Sequence, residues 1–205
     1  MIGQDVPPLA PIHFFKMGAE IRNGKKASKK YLPDTTELLG EEHFADIGVS
    51  WEREGLYVHL HAHKKFEEAC YPKYIDGDAL ELYIDTRDMK EAGFPTRFCH
   101  HFLILPQEIQ GIRSLELTRF RTEDSHSLCD PGKIELAFAA GSRDYFLDIF
   151  LPAEILHGYD PDTFDRIGLT YSVHRPKYMS QNFSVSSSYV TVAQNPSLWA
   201  SCILV

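Results

Sequence analysis

Three histidines alternate along one short segment of the chain, at His59, His61 and His63 in the run HLHAH. Residues two apart on a β-strand point to the same side, so this spacing predicts three imidazoles that project together beside Tyr57. Imidazoles about 7 Å apart on a strand can converge on one transition-metal ion. The alternative interpretation is a polar, partly exposed sheet face on which each histidine pairs with a carboxylate.

Carboxylates follow the same alternation in a second segment, GDALELYIDTRD at residues 77–88. The apolar side, which predicts a core-facing surface, carries Leu80, Leu82 and Ile84. The polar side carries Glu81, Tyr83 and Asp85. A strand with two carboxylates and a tyrosine on its outer side indicates a sheet face used for more than packing. Glu81, Asp85 or His101 could complete a metal site with the histidines if it lies on a neighbouring strand.

The segment RFCHHFLIL places two adjacent histidines, His100 and His101, within an apolar strand. Adjacent strand residues face opposite ways, so only one of them can share a site with the alternating histidines. We expect a hydrogen-bonded core histidine on the inward side. On the other side we expect a histidine that joins Arg97 and Glu81 in a polar groove. The predicted ligand-binding face consists of Tyr57, His59, His61, Glu81, Tyr83, Arg97 and His101.

Aspartates at the ends of the same carboxylate-bearing strand suggest a second kind of metal site. Asp76, Asp78 and Asp85 could hold calcium together with backbone carbonyls. The DxDxDG spacing of an EF-hand loop is absent, and aspartates are frequent in turns for conformational reasons alone. Calcium and a transition metal are therefore candidate cofactors, and the sequence requires neither.

Motifs of the common enzyme classes are missing from the sequence. It contains no GxSxG elbow, no P-loop and no GxGxxG turn after a strand. Glu81 and Asp85 do not fit a glycosidase acid pair, because four residues of strand separate them by about 13 Å. The sequence favours a protein without catalytic activity.

Strand-like runs separated by turn residues occupy most of the chain. They are Ile12–Lys16, Ala45–Glu52, Gly55–His63, Ala79–Asp85, Arg97–Leu105, Ile112–Phe120, Lys133–Ala140, Tyr145–Leu151 and Ile167–His174. Helical turns are predicted only within residues 33–42 and 152–156. This pattern predicts an all-β, antiparallel, jelly-roll-like sandwich of two sheets with one or two short helical turns. We expect one domain over residues 1–205, with a core at about 45–205 and an N-terminal strand at about 12–16.

Composition narrows the function classes. The chain has 205 residues and a formal net charge of −8, which argues against a nucleic-acid groove. No apolar run approaches the ~20 residues of a membrane span, and the N-terminus lacks the features of a secretory signal. The four scattered cysteines predict reduced thiols, with Cys99 and Cys202 as small core residues. A cytoplasmic location is the default expectation, although export by a signal-independent route leaves no such mark.

The segment GDALELYIDTRD, preceded by GLYVHLHAH and followed by RFCHHFLILP, resembles the core of the family 9 carbohydrate-binding modules and the wider DOMON-like β-sandwich group. The closing segments RIGLTYSVHR and NPSLWASCILV look like those of bacterial proteins related to these modules. The resemblance covers roughly residues 45–205. It implies a two-sheet sandwich with a ligand face on one sheet. Relatives bind saccharide ends between tryptophans, often with structural calcium, or hold haem between histidine and methionine ligands.

The chain departs from both of those ligand patterns. A sugar-clamping pair cannot be assigned to Trp51 and Trp199, and no set of haem ligands is recognisable. The first hypothesis is a non-catalytic module that binds a carbohydrate or glycoconjugate. The second is a metal- or haem-binding protein that uses the strand of His59, His61 and His63. The third is a protein–protein adaptor or effector that uses the sandwich as a scaffold.

Overall fold

The structure is a computed structural model that describes residues 17–27, 30–177 and 179–205. The strand predicted at residues 12–16 lies outside the described residues. Within those ranges, no helix has the length and apolar character needed to cross a lipid bilayer. Strands dominate, as the alternating sequence pattern predicts.

Eleven strands and one short α-helix make up the regular structure of the described residues. The strands are β1 Gly18–Asn23, β2 Ala45–Glu52, β3 Gly55–Ala62, β4 Ala79–Asp85, β5 Cys99–Ile109, β6 Ile112–Glu116, β7 Glu135–Ala140, β8 Tyr145–Pro152, β9 Arg166–Arg175, β10 Met179–Asn182 and β11 Ala200–Leu204. The α-helix, α1, spans Thr36–Leu39. Single 3-10 turns occur at Tyr74–Asp76, Pro131–Lys133, Ala153–Ile155, Val192–Gln194 and Pro196–Leu198. The helical turns predicted within residues 33–42 and 152–156 are confirmed, whereas β1 and β10 were not predicted.

The strands form two sheets joined by β1. The first sheet has the order β6-β5-β4-β9-β11, with β10 also paired to β9. The second sheet has the order β2-β3-β8-β7. Residues 18–21 of β1 pair in parallel with β11, and residues 22–23 pair in parallel with β2. All other strand pairs are antiparallel. The predicted all-β sandwich is confirmed, and the two parallel pairings of β1 depart from the antiparallel prediction.

The core lies between the two sheets. Leu80 and Leu82 of β4 share it with Val58 and Leu60 of β3. Each such side chain contributes about 1.5–3 kcal/mol when it is fully buried. Because alternate residues of a strand point to opposite sides, the polar residues of β3 and β4 lie on the two outer faces of the sandwich. Those outer faces point away from each other.

The hairpin of β7 and β8 belongs to the second sheet and packs one apolar side against the core. Leu136 lies opposite Ile149, and Phe138 lies opposite Leu147. Leu147 and Ile149 are buried in the core, and the two β7 residues are partly buried against it.

The segment of residues 183–199 covers part of the outer face of the first sheet. Val185, Val192 and Trp199 pack against Tyr83 and Cys99 in a small second cluster. The Trp199 indole Nε1 donates a hydrogen bond to the Val192 carbonyl oxygen at 3.0 Å. This segment therefore forms a fixed wall beside the central strands of the first sheet.

All four cysteines are free thiols. Cys99 and Cys202 are fully buried, as predicted for small core residues. Burial raises the pKa of both thiols to about 12, so they stay protonated near neutral pH.

Candidate functional site

A groove of about 1040 Å³ lies on the outer face of the first sheet. Its floor is formed by Glu81 and Tyr83 of β4, His101 of β5 and His174 of β9. These three strands are neighbours in the sheet, so side chains on their outer face converge. The walls come from residues 71–75, from residues 117–121 and from residues 187–194. The first sheet supplies the fixed floor, and three connecting segments shape the opening.

Glu81 is the centre of the groove floor. Its Oε1 accepts a hydrogen bond from the Tyr74 hydroxyl at 3.0 Å and lies 2.7 Å from His101 Nε2. Its Oε2 lies 2.6 Å from His174 Nε2. Burial by itself would raise the pKa of the Glu81 carboxyl, but the hydrogen bonds from the two histidines outweigh it and hold the pKa well below its usual range. Glu81 is therefore an anion near neutral pH, although it is buried.

The neighbours of Glu81 are themselves held in place. His174 Nδ1 lies 2.9 Å from the Ser180 hydroxyl, and the Tyr83 ring stacks on His101 with centroids 4.4 Å apart. Burial, reinforced by the nearby Glu81 anion, raises the pKa of the Tyr83 hydroxyl well above its usual value. The floor is thus a rigid polar surface whose hydrogen-bonding groups have fixed directions.

The groove walls add aromatic rings and positive charge. Tyr71, Phe120 and Tyr189 line it, and Tyr189 is 60% exposed. Arg119 and Arg121 lie on the same rim and are exposed. Exposed rings offer flat apolar faces, while arginines and the polar floor offer hydrogen bonds. This combination suits a ligand that has both polar edges and an apolar face.

Of the predicted ligand-binding residues, the structure brings Glu81, Tyr83 and His101 together in the groove. Arg97 lies elsewhere, because its guanidinium pairs with Asp124 on the surface. His100 faces the opposite side of β5 from His101 and is fully buried, with Nδ1 2.9 Å from Glu116 Oε1. The predicted hydrogen-bonded core histidine is confirmed.

Tyr57, His59 and His61 do not share a face with the groove, so the prediction of one common face is wrong. They lie on β3, whose neighbours are β2 and β8 in the second sheet. The inner sides of β3 and β4 meet in one core, which places their outer sides on opposite surfaces of the sandwich. Sequence proximity of the two strands did not make them neighbours.

The three alternating histidines are not gathered around one point. His59 Nδ1 lies 2.7 Å from Asp148, His61 Nε2 lies 3.5 Å from Asp144, and His63 Nε2 lies 3.0 Å from Asp46. Among the described residues, the His/Cys/Asp/Glu groups close enough to hold a metal do not contain His59 or His61. The prediction of a metal site made by these three histidines is wrong. The alternative interpretation, histidines paired one by one with carboxylates, is confirmed.

The calcium prediction fails for a related reason. Asp78 immediately precedes β4, and Asp85 is the last residue of that strand. About 23 Å therefore separates the two aspartates along the strand. Asp78 Oδ2 accepts hydrogen bonds from the backbone N–H groups of Glu67 and Glu68, and the Asp85 carboxylate accepts those of Arg87 and Met89. The two buried aspartates order connecting segments and cannot share one ion. Among the described residues, the His/Cys/Asp/Glu groups close enough to hold a metal contain none of the three aspartates.

The tryptophans do not line the groove. Trp199 is 2% exposed and supports Tyr83 from behind, with ring centroids 5.7 Å apart. Trp51 is partly buried against the core, and its Nε1 donates to the Val205 carbonyl at 3.3 Å. The rings available in the groove are those of tyrosines and a phenylalanine.

Sequence reasoning missed His174, Tyr74 and Tyr189. A signal for His174 existed, because Thr170, Ser172 and His174 alternate with core residues along β9. Tyr74 and Tyr189 lie in irregular segments, where no periodicity marks a functional side chain. Their role follows only from the three-dimensional arrangement.

Comparison with known proteins concerns the fold. No protein-family model matches the chain, and no curated protein matches its sequence. A family 9 carbohydrate-binding module from Caldicellulosiruptor kristjanssonii, in complex with glucose, is similar with a TM-score of 0.63 and 12% identity, over 92% of this chain and 95% of the module. The chain has the fold of a family 9 carbohydrate-binding module.

Two further structures agree. A family 9 carbohydrate-binding module from the same organism, in complex with cellotriose, gives a TM-score of 0.61 at 12% identity, over 91% of this chain and 93% of the module. A protein from Bacteroides uniformis, assigned a carbohydrate-binding role, gives a TM-score of 0.51 at 8% identity, over 92% of this chain and 98% of that one. At these identities the likeness shows the fold alone. The resemblance to the family 9 modules is confirmed at that level, and the DOMON-like part stays a prediction.

Proposed function

We propose that the protein is a non-catalytic module that binds a saccharide in the groove of the first sheet. The observation that carries the proposal is the groove itself, with a buried, hydrogen-bonded carboxylate at its floor and aromatic rings at its walls. Support comes from the fold, which is shared with modules whose structures hold glucose and cellotriose.

A sugar ring matches this chemistry on both of its surfaces. Its hydroxyls need hydrogen-bond partners in fixed directions, and its C–H face packs on an aromatic ring. An ionised carboxylate has about four acceptor positions, and Glu81 receives three hydrogen bonds within the protein. The groove floor thus presents the Glu81 carboxylate together with its histidine and tyrosine partners to the hydroxyls of a ligand. Tyr189, the most exposed ring of the groove, offers a surface for stacking.

The size of the groove favours a ligand of more than one sugar ring. Small-molecule pockets have volumes of about 300–1,000 Å³, and this groove lies at the upper end of that range. Arg119 and Arg121 extend the polar surface at its rim and could also pair with the carboxylate of a uronic acid. A panel of ligands should therefore contain both neutral and acidic oligosaccharides.

Calorimetric titration with that panel tests the proposal. We expect saturable binding of at least one oligosaccharide, and a loss of about tenfold or more in affinity for Tyr189→Ala. Tyr57→Ala is the matched control, since it removes the same side chain from the outer face of the second sheet. The proposal fails if the folded protein binds no saccharide, or if Tyr57→Ala abolishes binding while Tyr189→Ala retains it.

A further inference from the structure

A second cluster of polar side chains lies on the other side of β5 from the groove. It consists of His100 on β5, Glu116 at the end of β6 and His126 in the connection between β6 and β7. Adjacent residues of a strand face opposite ways, so His100 points away from the groove that His101 enters. The side chains of the three residues are 0%, 0% and 5% exposed. The cluster is therefore buried and separate from the proposed saccharide site.

The three side chains converge on one point. His100 Nδ1 and His126 Nε2 each lie 2.9 Å from the same atom, Glu116 Oε1. One ligand atom from each residue lies within 4.8 Å of the others. The two imidazole rings are tilted by 32° to each other, with centroids 4.4 Å apart. Two ring nitrogens and one carboxylate oxygen thus surround a common centre.

The outer partners of the cluster fix its orientation. His126 Nδ1 lies 2.6 Å from the Arg97 carbonyl oxygen, an atom that can only accept, so Nδ1 carries the hydrogen. Nε2 of the same ring then faces the Glu116 carboxylate. Glu116 Oε2 accepts from the Cys129 backbone N–H at 2.7 Å. A ring whose Nδ1–H is held by a carbonyl while Nε2 points at a carboxylate is oriented as metal-binding histidines are.

We propose that this cluster is a binding site for a divalent transition-metal ion, with zinc as the best fit, held by His100 Nδ1, His126 Nε2 and the Glu116 carboxylate. Two imidazole nitrogens and a carboxylate suit zinc, whereas calcium takes oxygen ligands only. Around a tetrahedral zinc with bonds of about 2.0–2.1 Å, ligand atoms lie about 3.3–3.4 Å apart. The present separations of 2.9 Å need to open by only about 0.5 Å.

The ion would fasten an irregular connection to the sheet. Residues 117–130 contain no helix or strand, and a connection of this length is uncommon in a compact domain unless something holds it. The same connection carries Arg119 and Phe120, which line the groove. Metal bound by His126 would therefore hold one wall of the groove, although the metal site does not depend on what the groove binds.

Zinc titration of the chelator-treated full chain, near neutral pH, tests the site. We expect one zinc to bind per chain by calorimetry, and no binding of calcium under the same conditions. X-ray absorption at the zinc edge should show nitrogen and oxygen donors with the outer-shell scattering of imidazole, a readout that needs no variant. His126→Gln should weaken zinc binding by about 100-fold or more, since loss of even an orienting partner costs 10–100-fold.

The matched control is His63→Ala, because His63 belongs to the exposed group of His43, Asp46 and His63 on the second sheet. That variant should bind zinc as the parent does. Circular dichroism must show that each variant is folded. The proposal is overturned if the folded parent binds no zinc, or if zinc binding survives in His126→Gln and is lost in His63→Ala.

Discussion

The two outer faces of the sandwich both carry histidines beside carboxylates, but they use them differently. On the first sheet, His101 and His174 share one carboxylate, Glu81, whose side chain is 8% exposed. On the second sheet, His59 pairs with Asp148, whose side chain is 66% exposed, and His61 has a carboxylate of its own. The shared and buried carboxylate marks the candidate site, whereas the carboxylates of the one-to-one pairs are exposed.

The difference arises from what covers each face. Segments at residues 71–75, 117–121 and 187–194 rise around the centre of the first sheet and make a concave floor. On the second sheet, His61 stacks on Phe146 and Tyr57 stacks on Phe150 across the strand pair β3–β8, with centroids 4.3 and 4.5 Å apart. These rings therefore stack on each other along the surface of the second sheet. Residue type alone therefore does not distinguish the two faces. The volume of the concavity does, at about 1040 Å³ on the first sheet and about 540 Å³ beside Tyr57 on the second.

Replacing the carboxylate on each face should give the largest difference in unfolding free energy between the two faces. Glu81→Ala leaves two histidines and the Tyr74 hydroxyl without their buried partner and should cost about 3–5 kcal/mol of unfolding free energy. Asp148→Ala removes an exposed partner and should cost about 0–1 kcal/mol. Urea denaturation of the two variants measures both values. Equal costs, or a smaller cost at Glu81, would show that the groove floor is not the tightly coupled network described here.

Acidification should reduce the contribution that Glu81, on the first sheet, makes to the free energy of unfolding. The pKa of Glu81 is lowered in the folded protein from its usual 4.5, so its contribution to stability is full above about pH 5 and is lost as pH falls. The gap in unfolding free energy between the parent and Glu81→Gln should be present in full at about pH 5. Below that pH it should narrow by up to about 1.4 kcal/mol per pH unit. Denaturation at a series of pH values checks this, and a gap that widens on acidification contradicts it.

Local pattern was enough to predict the strands and their inner sides. β2 and β4 have the predicted bounds, and Leu80, Leu82 and Ile84 lie in the core as their alternation indicates. This succeeded because a period of two reports directly which side of a strand is apolar. The family resemblance drawn from the same segment also matched the fold.

Strand pairing was not predictable from that pattern, and the common-face prediction failed for this reason. β3 pairs with β8, which lies some ninety residues further along the chain, rather than with β4. Alternation shows that His59 and Glu81 both point away from the core. It cannot show that they lie on opposite surfaces of the sandwich. Nor could it reveal β1, which passes from one sheet to the other, or Tyr189, which reaches the groove from an irregular segment.

We propose that a saccharide binds in the groove of the first sheet and not on the histidine-bearing face of the second. Backbone amide shift mapping by NMR, with the tightest ligand of the oligosaccharide panel, tests it most directly. We expect shifts at residues 71–75, 117–121 and 187–194, with residues 57–63 unchanged. Shifts confined to residues 57–63 and the neighbouring strand β8 would contradict it.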